Sequence, residues 1–96
     1  MKYEISERDL NELSDAFLCL KTKNEIKKFL KDLCSTLELT NLVDRYKIAQ
    51  RVYKGMPYRK ISENLKCSTT TVTRVAAWVN QGKGGFQTVF ERLDIK

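Results

Sequence analysis

Between positions 68 and 74 the chain reads STTTVTR: four threonines and a serine fall within six positions, with an arginine directly behind them. Hydroxyls this dense make poor core material, and β-branched threonine is a mediocre helix former. The stretch nevertheless lies inside YRKISENLKCSTTTVTRVAAWVN, residues 58–80, whose flanks ISENL and VAAWV carry helical spacing. The chemistry on offer is hydrogen bonding at close range. Ser68, Thr69, Thr70, Thr71 and Thr73 can each donate and accept, and Arg74 adds a permanent charge with a planar fork of donors. Nothing beside them completes a nucleophilic site. The chain has no histidine, which removes the commonest general base and metal ligand. No G-x-S-x-G, P-loop or HExxH pattern occurs in the sequence. These features point away from an enzyme, and no metal or cofactor is expected.

The elements that must hold these residues are all helical. Ser6 opens SERD, a start signal with an acid three positions on. Leu10, Leu13, Phe17 and Leu20 follow at helical spacing. TKNE, residues 22–25, breaks this helix and opens a second, with Ile26, Phe29, Leu30, Leu33 and Cys34 on its apolar face. Lys27, Lys28 and Lys31 lie off that face and read as solvated surface. STLE, residues 35–38, forms a capping box. The longest helix then runs over about 36 to 54, through Leu39, Leu42, Val43, Tyr46, Ala49 and Tyr53, and Gly55 is a left-handed stop. With Pro57 in its first turn, a short helix runs to about Asn64. Ser68 or Thr69 caps a fifth, ending near Asn80. QGKGG lets the chain turn into FQTVFERL, where Phe86, Val89, Phe90 and Leu93 share a face.

Composition bounds the function. The 96 residues are 42% apolar and 31% charged, which is too apolar for a disordered chain and ordinary for a globular one. A chain this short buries only ~60–65% of its unfolded surface, so association with a second copy would help it. The net charge of +6 suggests a polyanionic partner. No apolar run approaches the ~18 residues of a membrane span, and the polar start MKYEISERDL is no signal peptide. A cytoplasmic protein is expected. Cys19, Cys34 and Cys67 are odd in number and show no CxxC, so buried reduced thiols are expected, not a metal site or disulfide.

Two short helices joined by about four residues, the second one hydroxyl-rich, fit a helix-turn-helix. Ile61 and Leu65 would bury the first helix, and Val72 and Val75 the second. Cys67 fills the turn, and small Ser62 sits where the helices approach. A reading helix of this kind enters the major groove with its N-terminal part. Hydroxyls there bond phosphate, a threonine methyl meets a thymine methyl, and the helix N-terminus favours phosphate. Arg74 could bond phosphate or guanine, while Lys54, Arg59, Lys60 and Lys66 could follow the backbone. Tyr58 is open between a phosphate contact and a packing residue. The competing reading is that STTT is only a helix cap with exposed threonines. Lys66 occupies the turn position that wants φ > 0 and usually holds glycine, a strain of ~1 kcal/mol.

At these residues the chain resembles the Trp repressor superfamily, and specifically its YerC/YecD-like branch. The likeness rests on four ordered blocks: Arg45 to Ala49, Gly55 to Ile61, Ser68 to Val75 and Gly82 to Phe86. It covers roughly residues 28–93. The resemblance implies an all-α fold, a six-helix chain forming one domain over 1–96 in an intertwined homodimer. Within it, 1–54 would supply the dimerisation helices, 55–80 the helix-turn-helix head, and 81–96 the glycine loop and last helix. It also implies a transcriptional repressor or similar regulator that reads a two-fold operator on double-stranded DNA. In tryptophan-binding members two arginines sandwich the indole of the ligand, and Arg45 and Arg74 match them. The residue after the second arginine is glycine there and Val75 here. A serine four residues after that arginine is Trp78 here. Val75 and Trp78 are expected to fill the pocket, leaving Arg45, Arg74, Val75 and Trp78 as a vestige of it. Tryptophan is therefore not the expected effector, and the sequence names no other. Trp78 itself reads as core, and Arg45 as equally suited to an ion pair with Asp44 or a neighbouring acid. A second reading makes the helix-turn-helix a protein-interaction module without DNA binding. A third, the DNA-binding segment of a nucleic-acid enzyme, lacks the acid cluster that two metal ions need.

Overall fold

The computed structural model describes residues 4–95 and, among them, helices and turns but no strand. The helices are α1 (Glu7–Leu18), α2 (Lys23–Leu33), α3 (Thr36–Tyr53), α4 (Tyr58–Leu65), α5 (Thr69–Gln81) and α6 (Gly85–Arg92). Their starts are set by side chains that satisfy otherwise orphaned backbone N–H groups. The Ser6 hydroxyl accepts from the Asp9 amide at 3.1 Å. Thr22 accepts from Glu25 N–H at 3.1 Å, and the Glu25 carboxylate reaches back to Lys21 N–H at 2.8 Å. Ser35 and Glu38 form a fully reciprocal pair, at 3.1 and 2.8 Å. The stops are equally local. Gly55 has φ 86° two residues beyond α3. Four positions differ from the spacing, and of these Cys34 and Leu93 are caps just beyond α2 and α6. Leu20 falls past the end of α1, and Pro57 is the cap of α4 and not its first-turn residue.

The chain packs as two units, one up to Leu39 and one from Thr40 onward. In the first, α1 and α2 meet through Phe17 and Phe29, edge to face with centroids 5.2 Å apart. No residue of either helix is buried. Leu10, Leu13, Ile26 and Leu33 stay substantially exposed, so the apolar faces expected of these helices are formed but largely uncovered.

The core belongs to the second unit. Ile48 and Ala49 of α3, Ile61 of α4, Val72, Val75 and Val79 of α5 and Phe90 of α6 form one buried cluster. Phe90 is its centre, with Tyr46, Tyr53 and Phe86 rings 4.9–5.8 Å away. The side-chain amide of Gln87 donates to the Val79 carbonyl and ties α6 to α5. The glycine loop works through two of its members. Gly84 caps α6 at φ 87°. A Cβ at Gly82 would collide with the Trp78 carbonyl oxygen, so the chain leaves α5 along a path only glycine follows.

Two expectations about packing are corrected. Trp78, read as core, is 42% exposed, because α5 buries the face bearing Val72, Val75, Ala76 and Val79 and Trp78 lies at that face's edge. The cysteines, read as buried thiols, are exposed at Cys19 and half-buried at Cys34 and Cys67, and all three are free.

Candidate nucleic-acid interface

Helices α4 and α5 are the paired elements of a helix-turn-helix. The turn between them is fastened at Lys66, which adopts a left-handed conformation at φ 55°, ψ 47°. The amides of Lys66 and Cys67 both donate to the Ser62 carbonyl. In return the Ser62 hydroxyl donates to the Cys67 carbonyl at 2.7 Å. Ser62 is thus more than a small residue at a close approach, since it closes the turn through both backbone and side chain. Ile61 and Val72, each fully buried, lock the two helices together beneath it.

The hydroxyl row divides into two groups once its bonds are traced. Ser68 caps α5, accepting from Thr71 N–H at 3.0 Å, and its hydroxyl shares a second bond with the Thr71 hydroxyl at 2.9 Å. Thr73 turns its hydroxyl back to the Thr69 carbonyl at 2.9 Å. Thr69 and Thr70 stand exposed in the first turn, and Arg74 is exposed one turn on. No hydrogen bond or ion pair of the described residues occupies their side chains. Helix capping therefore accounts for Ser68 and Thr71 but leaves Thr69, Thr70 and Arg74 available to a partner.

The basic residues expected alongside are exposed as well: Lys54 after α3, Arg59 and Lys60 in the first turn of α4, and Lys66 in the turn. Arg59 pairs with Glu63 at 3.4 Å, but both side chains are mostly solvated, so the pair is worth little and yields easily to a competing anion. Tyr58, 40% exposed at the start of α4, is not a core residue of this chain. Charge is divided unevenly along the sequence. From Thr40 onward there are eleven basic and four acidic residues, against seven and eight before it. The whole cationic excess lies in the unit that carries the helix-turn-helix.

Beside the turn, a cleft of about 520 Å³ opens between α3, the end of α4 and α5. Arg45, Arg74, Val75 and Trp78 all line it. The Arg45 guanidinium stacks on the Trp78 ring, 4.8 Å from its centroid. It makes no ion pair with Asp44 or another acid among the described residues, so its partner is the indole. Val75 is buried at the back of the cleft. Lys47 also lines it, a residue that reading the helix-turn-helix segment alone overlooks. Its signal was its place on α3, two positions after Arg45 and next to buried Ile48. On the other side of Trp78 an apolar groove of about 530 Å³ runs along Tyr46, Phe86 and Val89.

No group of His, Cys, Asp or Glu among the described residues is placed to hold a metal ion, and no described helix is long and apolar enough to cross a membrane. Known proteins resemble the chain closely. It is 30% identical over 86 residues to the uncharacterized protein YerC of Bacillus subtilis (strain 168), covering 90% of this chain and 83% of that one. Among solved structures, a candidate Trp repressor from Staphylococcus aureus superposes with a TM-score of 0.85 at 30% identity, covering 95% of this chain and 91% of that one. A TrpR-like protein of Eubacterium eligens ATCC 27750 gives 0.85 at 32% identity, with 94% and 93% covered. The Trp repressor protein family matches residues 8–94, which reaches all six helices and leaves out only the first residue of α1, and the chain belongs to that family, one of helix-turn-helix regulators.

Proposed function

We propose that this protein is a homodimeric, sequence-specific DNA-binding regulator of transcription, a repressor acting in the cytoplasm on a two-fold operator. The observation that carries the reading is the first turn of α5. It presents Thr69 and Thr70, with Arg74 one turn on, unpartnered and exposed over a fully buried base at Val72, beside Lys66, Arg59 and Lys60. A helix N-terminus with free short hydroxyls and cations around it is suited to the major groove and its flanking phosphates. Lys54, Tyr58, Ser68, Thr71 and Thr73 complete the contact surface, the last three chiefly by shaping the helix start.

Dimerisation is supported by what the chain leaves uncovered. Helices α1 and α2 bury no residue, and apolar area of this kind calls for a partner. Residues 1–54 are assigned to that contact, 55–80 to the head and 81–96 to its support. Tryptophan is not the effector in this reading. Val75 and Trp78 line the cleft, and Trp78 already stacks on Arg45, so the chain supplies its own indole where a tryptophan-binding relative would take one from solution.

Mobility-shift titration of pooled duplex fragments at about 150 mM salt tests the reading, and retardation is the expected result. No retardation there or at ~50 mM, where phosphate contacts strengthen severalfold or more, would transfer the head to a protein partner.

A further inference from the structure

The cleft holds four basic residues, Arg45, Lys47, Lys66 and Arg74, against a single carboxylate, Asp44. None of the four makes an ion pair among the described residues. The only ion pairs among the described residues are Arg8–Glu12 and Arg59–Glu63. Lys66 is fixed by its left-handed backbone and Arg45 by its indole stack. Lys47 comes from α3, outside the helix-turn-helix, on the turn of helix that also carries buried Ile48 and Ala49. Four cations set against one carboxylate around a concavity repel one another, and an anion seated there relieves that repulsion.

We propose that this cleft seats a backbone phosphate of the bound duplex, with Lys47 as a phosphate contact lying outside the helix-turn-helix. The inference rests on the DNA-binding reading above and names the partner of the cleft within it. Two observations favour a duplex phosphate over a free one. Lys66 and Arg74 are shared between the cleft and the exposed reading surface, so a strand following that surface reaches the mouth of the cleft. The cleft is also not an enclosed cavity of the kind that closes over a small molecule. Lys47 would then fix where the strand leaves the head and carry no base preference of its own.

The test is the salt dependence of duplex binding in wild type, Lys47→Gln and Lys83→Gln, with the Trp78 emission read in parallel. Lys47 is exposed, so its neutral variant keeps the fold, and Lys83 lines the apolar groove instead of the cleft. Trp78 is the only tryptophan and reports on the cleft directly. For Lys47→Gln the slope of log K against log salt is expected to fall by ~0.9 for each protomer's lost contact. The preference for operator over random duplex should be unchanged, and Lys83→Gln should match wild type. An unchanged slope, or equal losses in both variants, overturns the inference while leaving the DNA-binding reading standing. A saturable Trp78 response to inorganic phosphate at constant ionic strength, lost in Lys47→Gln, assigns the cleft to a free anion and also overturns it. Absence of duplex binding by wild type at any salt removes both.

Discussion

Replacing Lys66 by glycine should make the protein more stable and a weaker DNA binder at once. Lys66 ends α4 at φ 55°, ψ 47°, a conformation that costs an L-residue roughly 1–2 kcal/mol. Glycine adopts it freely but gives up ~0.5–1 kcal/mol of additional chain entropy on folding. The side chain is exposed, so little packing is lost, and the two amide bonds to the Ser62 carbonyl do not depend on it. The balance is a gain of ~0.5–1 kcal/mol, or about 2–8 °C in melting temperature for a chain of this size. Lys66→Ala is the control, because it removes the same charge and keeps the strain. Thermal and urea unfolding of the three proteins, compared at one concentration because any self-association shifts the midpoint, should rank Lys66→Gly above the other two. Both variants should lose the same salt slope in duplex binding, ~0.9 per lost phosphate contact. A Lys66→Gly variant that melts at or below Lys66→Ala would refute the assignment of strain to this turn.

Three further outcomes follow from particular contacts. Phe90→Ala removes a fully buried ring held among three other aromatics and should cost ~3–5 kcal/mol, read as a large drop in the urea midpoint. The Glu38 carboxyl is held below its ordinary value of 4.5, first by the Ser35 backbone N–H and then by the Ser35 hydroxyl. Its folded-state pKa is depressed, so its contribution is complete above the ordinary carboxylate range and fades as pH falls through the lowered value. Ser35→Ala should raise the Glu38 titration midpoint seen by NMR and lower the melting temperature at neutral pH. Arg74→Ala should weaken operator binding by ~1–3 kcal/mol with the fold intact by circular dichroism, and unchanged affinity would remove Arg74 from the contact list.

The helix starts and turns were legible because they are local. Ser6, Thr22, Ser35 and Ser68 each act within three residues of themselves, so spacing alone exposes them. The left-handed Lys66 was legible for the same reason, since two helical patterns leave too few residues between them for anything but a tight turn. Trp78 was not legible. Apolar periodicity marks which face is inward but not how wide the buried arc is, and Trp78 lies just beyond its edge. The Arg45–Trp78 stack joins residues thirty-three positions apart, and a nearby acid in the sequence, Asp44, made an ion pair look the simpler choice. The division of the hydroxyls was also hidden. Only the bonds of Thr71 to Ser68 and of Thr73 to Thr69 separate structural threonines from free ones. Lys47 escaped because its role depends on the packing of α3 beside the turn.

The most direct test of the account is selection of the purified protein on randomised duplex DNA at about 150 mM salt. The account predicts enrichment of a two-fold palindrome whose half-sites lie one helical turn, ~34 Å, or a multiple of it apart, without added tryptophan. Recovery of no sequence preference, or of a single asymmetric site, would contradict a dimer that reads its operator through two copies of Thr69, Thr70 and Arg74.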